Sequence, residues 1–385
     1  MKSEWTYRPL GELVSFASGG TPSKKRDDYW GGTIPWISAK TLKTENIDTS
    51  DLFITEEGLK AGSKIAPKGS ILLLTRGSGL FNGIPIARVE KDVAFNQDIK
   101  CLDSYGEVEN EFIFYWLLSQ KDYLMAKVGV TGIGAGKFDL DFLQKLMIPI
   151  PSERERKSIV GFASSISEKI RCNAKVNDNL EQQAVALFKS WFVDFSLFGG
   201  TVPENWEDTT LENITTLITR GIAPKYSDNS DQTVVNQKCI RNHTIDLSLA
   251  RTHTPKAINE KWLKFGDLLI NSTGDGTLGR VAQVWFAPKA LTVDSHVTIV
   301  RPAREELIFY IGLWGILHEK EIESLHTGST GQTELPRDRV KMLKLLLPDN
   351  ISLSRFNSII APIASTIISN QKENQKIASL RDTHL

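Results

Sequence analysis

The sequence has few of the residues that build disulfides or metal sites. Its 385 residues include three cysteines, Cys101, Cys172 and Cys239, and six histidines. Neither set has the spacing of a disulfide framework or of metal ligands. We therefore expect no metal in this chain and free thiols in a reducing compartment, which predicts a cytoplasmic protein.

Long apolar runs are missing as well. The strongest uncharged run, "FIFYWLL" at 112–118, is much shorter than the roughly 18 residues that a membrane-spanning helix needs. The opening "MKSEWTYRPLGE" contains no apolar core of a signal peptide. The sequence thus predicts no membrane partner.

Net charge is also absent, because 46 Lys and Arg residues balance 46 Asp and Glu residues. This balance argues against bulk electrostatic attraction to a polyanion and leaves only local basic patches as anion-binding sites. The length and the 41% hydrophobic content are typical of a globular protein with two or three domains.

Two segments resemble cofactor-binding motifs, but neither has the sequence context that such a site needs. The segment 274–279, "GDGTLG", has the G-x-G-x-x-G pattern, but "RVAQVWFAP" follows it and alternates like a strand, whereas a dinucleotide site needs a helix there. The segment 131–138, "TGIGAGKF", resembles a phosphate loop but has Thr131 in place of the first Gly and Phe138 in place of Ser or Thr. We found neither an amino-methyltransferase tetrapeptide nor a nuclease-like acidic cluster. We expect no catalytic residues and no cofactor in this chain.

What the chain does contain is an internal repeat. "WTYRPLGEL" at 5–13 opens one copy and "WEDTTLENI" at 206–214 opens the other. The same segments follow in both: a Gly/Pro loop (16–30 and 217–231), a strand running into a Gly loop (69–79 and 266–276), an aromatic helix (111–118 and 306–314), a Thr-Gly loop (131–139 and 327–335) and an aliphatic strand with Pro. Chance matches would not keep this order, so we infer a duplicated domain.

A seven-residue apolar repeat follows each copy. Its positions are Ile159, Ile166, Asn173, Leu180 and Leu187 after the first copy, and Phe356, Ile363, Asn370 and Ile377 after the second. Such a repeat predicts a coiled coil, and Asn at the same heptad position in both helices is typical of a residue that fixes register. The alternative is that each helix packs on its own domain. We favour an antiparallel pair about a pseudo-twofold axis.

The predicted fold class is therefore α+β, with an internal duplication. Two similar mixed α/β domains, 1–150 and 199–350, are joined by two long antiparallel coiled-coil helices, 151–198 and 351–385.

Several of these segments together resemble the specificity subunits of type I restriction–modification systems. The resemblance lies in "PENW…LEN" (203–213), "GGTPS" (19–23), "GSILLLTRG" (69–77), the "FIFYWLL" helix, "LMIPIPSERERKSIV" (146–160) and "LEQQAVALFKSWFVDF" (180–195), and it spans essentially the whole chain. Two departures are the missing Pro before Trp5 and the second junction, "LLLPDNISLSRF", which lacks the charged "SERER".

The resemblance implies a non-catalytic subunit that recognises double-stranded DNA. Each domain would read one half of a bipartite asymmetric target, and the helices would set the spacer and dock two methyltransferase (modification) subunits. Restriction subunits, which are motor and nuclease, would complete an adenine-specific methyltransferase and ATP-dependent endonuclease. S-adenosylmethionine, ATP and magnesium are expected on those partners and not on this chain.

DNA contacts are predicted from the polar and basic residues of the loops, since phosphate contacts fix register and base contacts give specificity. In the first copy they are Lys24, Lys25, Arg26, Lys40, Arg76, Ser78, Asn82, Asn96, Gln97 and Lys137. In the second they are Arg220, Lys225, Tyr226, Lys238, Asn242, His243, Thr273, Asp275, Arg280, His296 and Gln332. Lys25 and Arg26 are expected to contact phosphates.

Two other functions remain open from the sequence. One is the recognition subunit of a different methyltransferase–nuclease class. The other is a scaffold that holds two identical partners without DNA, which the zero net charge favours slightly.

Overall fold

The structure is a computed structural model that describes residues 5–131, 135–227, 230–274, 276–328 and 333–383, with Asn82 described without its side chain. It divides into two compact units. Unit 1 contains residues 1–171 and 374–385, and unit 2 contains residues 172–373. Each long helix therefore contributes to both units, and the units are described separately.

Unit 1 is built on antiparallel strands. These are β1 (Thr6–Pro9), β2 (Val14–Ser18), β3 (Trp30–Ile37), β4 (Asn46–Ile47), β5 (Phe53–Ile54), β6 (Lys64–Ala66), β7 (Ile71–Leu74), β8 (Arg76–Gly77), β9 (Ile86–Val89), β10 (Val93–Phe95), β11 (Ile99–Ser104), β12 (Gly129–Val130), β13 (Gly136–Lys137) and β14 (Met147–Ile150). The sheets have the orders β2-β11-β7-β9-β4, β5-β3-β10-β6, β12-β13-β8 and β1-β14, and the pairs β3–β10 and β4–β9 are parallel.

The short helices of unit 1 are α1 (Leu10–Leu13), α2 (Glu56–Gly62), α3 (Asn110–Ser119), α4 (Lys121–Met125) and α5 (Leu140–Gln144), with 3-10 turns at Asp27–Tyr29 and Ser78–Asn82. Helix α3 contains the "FIFYWLL" run, and all seven of those residues are buried. A helix that is apolar all round must be buried on all sides, which is why the run shows no amphipathic period.

Unit 2 repeats this framework. Its strands are β15 (Glu207–Thr210), β16 (Thr215–Arg220), β17 (Thr233–Val235), β18 (Ile240–Arg241), β19 (Thr244–Ile245), β20 (Arg251–Thr252), β21 (Leu268–Asn271), β22 (Val281–Gln283), β23 (Leu291–Val293), β24 (Val297–Pro302) and β25 (Lys344–Leu347). The sheet orders are β16-β24-β21-β22, β20-β17-β23, β15-β25 and β18-β19, and β17–β23 is parallel. Six 3-10 turns lie at Ser196–Phe198, Glu212–Ile214, Gln237–Cys239, Leu247–Leu249, Asn259–Lys261 and Glu305–Leu307.

The first and last strands pair in each globular part. Thr6 lies opposite Ile150 in unit 1, and Glu207 lies opposite Leu347 in unit 2. This pairing closes each domain at the point where a long helix begins, and it accounts for the repeated aliphatic strand with Pro at the end of each copy.

The register of the central strands relates the two copies residue by residue. Leu74 pairs with Ile99 in unit 1, as Asn271 pairs with Val297 in unit 2. The amide of Phe138 donates to Thr75 O at 2.9 Å, and the amide of Leu335 donates to Ser272 O at 2.8 Å. Phe138 is thus equivalent to Leu335. The sequence comparison of the Thr-Gly loops had matched Phe138 with Glu334, and the structure corrects it by one residue.

Two long helices follow the globular parts, α6 (Glu153–Phe192) and α10 (Asn350–Thr383), and unit 2 also contains α7 (Ile308–Leu317), α8 (Glu319–Ser324) and α9 (Arg337–Lys341). A capping box begins α6: the Ser152 amide donates to Glu155 Oε2 at 2.9 Å, and the Glu155 amide donates to Ser152 Oγ at 3.4 Å. The "SERER" segment is therefore a helix start.

Helix α10 begins with a different cap. The carboxylate of Asp349 accepts hydrogen bonds from the amides of Ile351 and Ser352 at 2.9 and 3.0 Å and from Trp206 Nε1 at 2.8 Å. Burial alone would raise the pKa of Asp349, but these donors lower it to about 2. The opening Trp of the second copy thus holds the start of α10.

The helices run antiparallel within each unit. In unit 2, Asn370 Nδ2 donates to Asn177 Oδ1 at 2.8 Å, and Asn173 Nδ2 donates to Glu373 Oε2 at 2.8 Å. In unit 1, Asn374 Nδ2 donates to Ile170 O at 3.4 Å. As the residue number rises along α10, the residue number of its hydrogen-bond partner on α6 falls, which is the order expected for antiparallel helices.

The apolar seam predicted from the heptads is formed only in part by contacts between the two helices; its other residues pack on the globular domains. All nine heptad residues named from the sequence are buried or half-buried: Ile159, Ile166, Asn173, Leu180, Leu187, Phe356, Ile363, Asn370 and Ile377. Ile159 packs on the core of unit 1, and Leu187, Phe356 and Ile363 belong to the core of unit 2. The alternative of packing on a domain therefore also holds, at the ends of the seam.

Helix α10 is long and apolar enough to span a membrane by length and composition, since one 18-residue window has a mean hydropathy of 1.3. The sequence analysis, which considered uncharged runs alone, missed it. Its residues Phe356, Ile360, Ala364 and Ile367 are buried inside unit 2. The buried helix of a soluble protein passes the same test, so this composition is weak evidence for a membrane span.

Candidate nucleic-acid interface

A small sheet in unit 1 places two cations side by side. Lys137 of β13 lies directly opposite Arg76 of β8, and both side chains are exposed. Neither forms an ion pair within the described part of the chain. Like charges directly opposite each other on neighbouring strands repel, so this arrangement is stabilised when an anion lies between them. The adjoining Gly77 has φ 137°, a conformation that favours glycine.

The Gly/Pro loop of unit 1 uses its glycines for packing. A Cβ on Gly19 would lie 2.0 Å from Phe95 O, and a Cβ on Gly20 would lie 1.7 Å from Gly62 O. Both glycines therefore allow backbone segments of the domain itself to approach each other. Lys24 and Lys25 extend from this loop into solvent.

Arg26, in the same loop, already has partners. Its Nε and Nη2 donate to the two carboxylate oxygens of Asp28 at 2.8 and 2.6 Å, and its Cζ lies 4.8 Å from the ring centroid of Tyr29. Hydrogen bonding to Arg26 lowers the pKa of Asp28, so the pair is ionised at neutral pH. Arg26 is thus less available to a phosphate than Lys24 or Lys25.

Of the other DNA-contact residues predicted in the first copy, three are exposed and one is a buried turn residue. Lys40, Ser78 and Gln97 are exposed, and Gln97 accepts a hydrogen bond from Thr21 at 2.7 Å. Asn96 is buried, and its Oδ1 accepts from the amide of Asp98 at 3.2 Å, which makes it a turn residue between β10 and β11. The side chain of Asn82 lies outside the described part of the structure.

The equivalent surface of unit 2 does not repeat this pair of cations. Thr273 takes the place of Arg76 and lies opposite Glu334, which takes the place of Lys137. Thr273 Oγ1 lies 2.7 Å from His296 Nδ1 and 3.2 Å from Gln237 Oε1. The two copies thus present different hydrogen-bonding groups at the same place in one framework.

Arg220 and Arg280 hold the loops of unit 2 together. Arg220 donates from Nη2 to Leu335 O at 2.9 Å, and its Nη1 lies 2.5 Å from Glu334 Oε1. Arg280 Nη2 donates to Gly276 O at 2.7 Å. Their geometry therefore gives both arginines a structural role beside the role that the sequence predicted.

The remaining predicted residues of unit 2 lie at the surface, with one exception. Lys225, Tyr226, Lys238 and Asn242 are exposed. Arg251, which the sequence analysis did not single out, lies over the ring of Tyr226, with Cζ 3.7 Å from its centroid. No spacing pattern pointed to Arg251. Asp275 and Gln332 lie outside the described residues.

The exception is His243, whose side chain is turned away from the loops. It hydrogen-bonds through Nδ1 to Glu181 of α6, and its Nε2 lies 3.7 Å from Glu319 Oε2 of α8. The structure therefore places His243 against a helix rather than at the predicted DNA surface. His243 was a candidate because it lies in a polar loop, and no local pattern reveals a partner 62 residues away.

No described group of residues forms a catalytic centre that we recognise. Within the described ranges, no three His, Cys, Asp or Glu residues are placed to hold a metal ion. A cavity of about 920 Å³ in unit 2 is lined by Arg301, Arg304 and Asn357 among others. Arg301 is buried there and forms two hydrogen bonds to Asp267, of 2.8 and 2.7 Å. This pairing is structural.

Comparison with known proteins gives these features a context. Residues 2–182 match the family model described as the type I restriction modification DNA specificity domain. The chain is 26% identical to the specificity subunit of the type I restriction enzyme MjaIX of Methanocaldococcus jannaschii, over 99% of this chain and 92% of that protein. It is 31% identical to the EcoR124I/EcoR124II specificity subunit of Escherichia coli, over 41% of this chain and 40% of that protein.

The chain is thus similar over nearly its whole length to a type I restriction–modification specificity subunit, and its first half matches the DNA specificity domain. The crystal structure of the type I S subunit from M. genitalium shares its fold, with a TM-score of 0.52 and 16% identity over 99% of this chain and 94% of that one. The predicted fold class, two similar mixed α/β domains joined by long helices, is thereby confirmed.

These similarities bear out the predicted role of a DNA specificity subunit. The cationic pair of Arg76 and Lys137 suits a phosphate or a guanine edge, because arginine and lysine donate to both. The hydrogen-bonding group of Thr273, His296 and Gln237 suits a different set of acceptors and donors.

Proposed function

We propose that each globular copy of this subunit reads one half of a bipartite, asymmetric double-stranded DNA target. The observation that carries the proposal is the chemical difference between equivalent positions. Arg76 and Lys137 in unit 1 correspond to Thr273 and Glu334 in unit 2, and each pair lies directly opposite in an antiparallel arrangement. One framework with two different polar surfaces is what reading two different half-sequences requires.

The helices would set the spacer and dock the partners. A helix of 40 residues, such as α6, is about 60 Å long at about 1.5 Å per residue. We propose that α6 and α10 bind two methyltransferase subunits, and that restriction subunits join that complex in the cytoplasm. S-adenosylmethionine, ATP and magnesium would be bound by those partners.

The experiment is domain exchange within the complex. The subunit is co-expressed with its methyltransferase, and methylated adenines are mapped on a DNA library. Replacing residues 1–150 by the corresponding domain of another specificity subunit should change one half of the target and leave the other half intact. The matched control is the exchange of residues 199–350, which should change the opposite half.

The outcomes separate the alternatives. Methylation without a bipartite target would favour a recognition subunit of another class. The absence of sequence-dependent DNA binding in the complete complex would favour a scaffold. If both halves change together, the two copies do not read independently and the domain boundaries are wrong.

A further inference from the structure

Two residues occupy the same place in the two units, although no sequence pattern relates them. Glu45 directly precedes β4, which runs parallel to β9, and His243 forms a parallel bridge to Ala282 of β22. Asn46 pairs with Arg88, so Glu45 lies beside Ala87. Ala87 and Ala282 hold equivalent positions, since they pair with Leu72 and Leu269 in the two central strands. Glu45 and His243 are therefore structural equivalents.

Each of these residues is held from two sides by elements that also correspond. Lys121 is the first residue of α4 and Glu319 is the first residue of α8, and these helices follow the aromatic helix of their copy. Lys121 Nζ lies 3.1 Å from Glu45 Oε1, and Glu319 Oε2 lies 3.7 Å from His243 Nε2. The second side is a long helix, α10 for Glu45 and α6 for His243.

In unit 1 the contact with the long helix is a buried arginine. Arg381 of α10 donates from Nη1 and Nη2 to the two oxygens of Glu45 at 2.6 and 2.9 Å, and from Nη1 to Ser167 Oγ at 2.8 Å. Its side chain is only 3% exposed. Burial alone would raise the pKa of Glu45, but Arg381 and Lys121 hold it below its usual value. The side chain of Glu45 is 32% exposed, so the pair is half-buried. A bidentate pair of this kind is directional, and removing Glu45 would leave the buried Arg381 charge without its main partner.

In unit 2 the signs are reversed. His243 lies between the carboxylates of Glu181 and Glu319, and its hydrogen bond to Glu181 raises its pKa. A two-residue hairpin turn presents the ring, with Asn242 at φ 48° and His243 at φ 56°. His243 is thus a cation between two anions, whereas Glu45 is an anion between two cations.

We propose that these two clusters are latches that fix the orientation of each reading domain on its long helix. Latch 1 consists of Glu45, Lys121 and Arg381, and latch 2 consists of His243, Glu181 and Glu319. The reversed charges make each latch specific for its own helix, because Arg381 would repel a protonated His243 and Glu181 would repel Glu45. This inference rests on the proposed function: the orientation of a domain decides which spacer length the complex accepts.

The test measures spacer discrimination in the complete complex with its methyltransferase subunits. Binding is compared on duplexes that carry the mapped target with its native spacer, or with a spacer one base pair shorter or longer. For Arg381→Met we expect discrimination between the spacers to fall about tenfold, about 1.4 kcal/mol, while the half-sequences remain the same. The matched control is Lys145→Met, which removes an exposed lysine paired with Asp141 at 2.7 Å in the same unit and should change nothing.

A variant of latch 1 with all three charges reversed distinguishes loss of the ion pairs from loss of folding. Glu45→Arg alone should lose spacer discrimination, and Glu45→Arg with Lys121→Glu and Arg381→Glu, which reproduces the charge pattern of latch 2, should regain most of it. Equal discrimination by the single and triple variants, or wild-type discrimination in a folded Arg381→Met protein, would overturn the proposal. A wild-type complex that recognises no bipartite target would instead show that the proposed function itself is wrong.

Discussion

Asn370 on α10, one of the heptad residues that the sequence predicts, donates a hydrogen bond at 2.8 Å to Asn177 on α6, one turn after the heptad residue Asn173. A half-buried amide in a mainly apolar seam costs stability unless its partner is present, so such a pair favours one register over its neighbours. The hydrogen bond thus explains why a seam otherwise made of aliphatic residues contains asparagine in both helices.

The first prediction concerns this pair. Asn370→Leu leaves the Asn177 amide without its partner and should lower the free energy of unfolding by about 1–3 kcal/mol. Asn177→Leu with Asn370→Leu removes both amides and should recover that loss or exceed it. Urea unfolding of the four proteins in a double-mutant cycle checks this. Equal destabilisation by the single and double variants would show that the hydrogen bond does not matter.

The second prediction concerns the exposed cations of the small sheet. Arg76→Ala with Lys137→Ala should weaken binding to DNA of every sequence if both contact phosphates. Each lost phosphate contact reduces the slope of log affinity against log salt by about 0.9, so the slope should fall by about 1.8. Fluorescence anisotropy at several salt concentrations measures it, with Lys145→Ala as the control. An unchanged slope with an altered target would assign the pair to bases instead.

The third prediction separates Arg26 from Lys25. The sequence treats both as phosphate contacts, but Arg26 is bound bidentately by Asp28 whereas Lys25 extends freely from the same loop. Lys25→Ala should therefore reduce the salt slope by about 0.9, and Arg26→Ala by clearly less, because its charge is already balanced. A larger effect of Arg26→Ala would mean that the Asp28 pair opens when DNA binds.

The fourth prediction is a pH dependence of unit 2. The pKa of His243 is raised above 6.5 in the folded protein, so its contribution to stability is complete below about 6.5 and is lost as the pH rises through the folded value. The charged groups that face it are Glu181 on α6 and Glu319 on α8, and Gln371 on α10 is uncharged. Urea unfolding should show the stability of the wild type declining above neutral pH.

The control for this dependence is His243→Asn. Asparagine tolerates the positive φ at this position but carries no charge. Its profile should be flatter than that of the wild type over the same pH range. A parallel decline in both proteins would assign the dependence to other groups.

The parts of the fold that leave periodic or repeated patterns could be predicted from the sequence. The heptads predicted the two long helices, and the repeated Gly loops predicted the duplication. The latches left no such trace, because Glu45 and Arg381 are 336 residues apart and ion pairs have no sequence spacing. The positions of loop side chains were the least predictable. Asn96 and His243 have the sequence context of surface residues, but their partners are determined by tertiary packing. The Thr-Gly loops have few apolar anchors, which is why their alignment was one residue out.

The last prediction treats the helices as a ruler. Inserting seven residues into both α6 and α10 keeps the apolar seam on the same face, since the pattern repeats every seven residues. Each helix lengthens by about 10 Å, which corresponds to about three base pairs of DNA at about 3.4 Å each. Three base pairs also rotate the duplex by roughly 100°, given about 10.5 per turn, so the protein or the DNA must twist and affinity should fall.

Methylation mapping of the inserted variant measures the outcome. Each half-sequence should be unchanged, because neither reading domain is altered, and the unread spacer should lengthen by about three base pairs. The control is a four-residue insertion at the same sites. Four residues at about 100° each rotate the apolar face by about 40° beyond a full turn, so this insertion should break the seam rather than extend the spacer. If the seven-residue variant methylates targets with the original spacer, something other than these helices sets the distance.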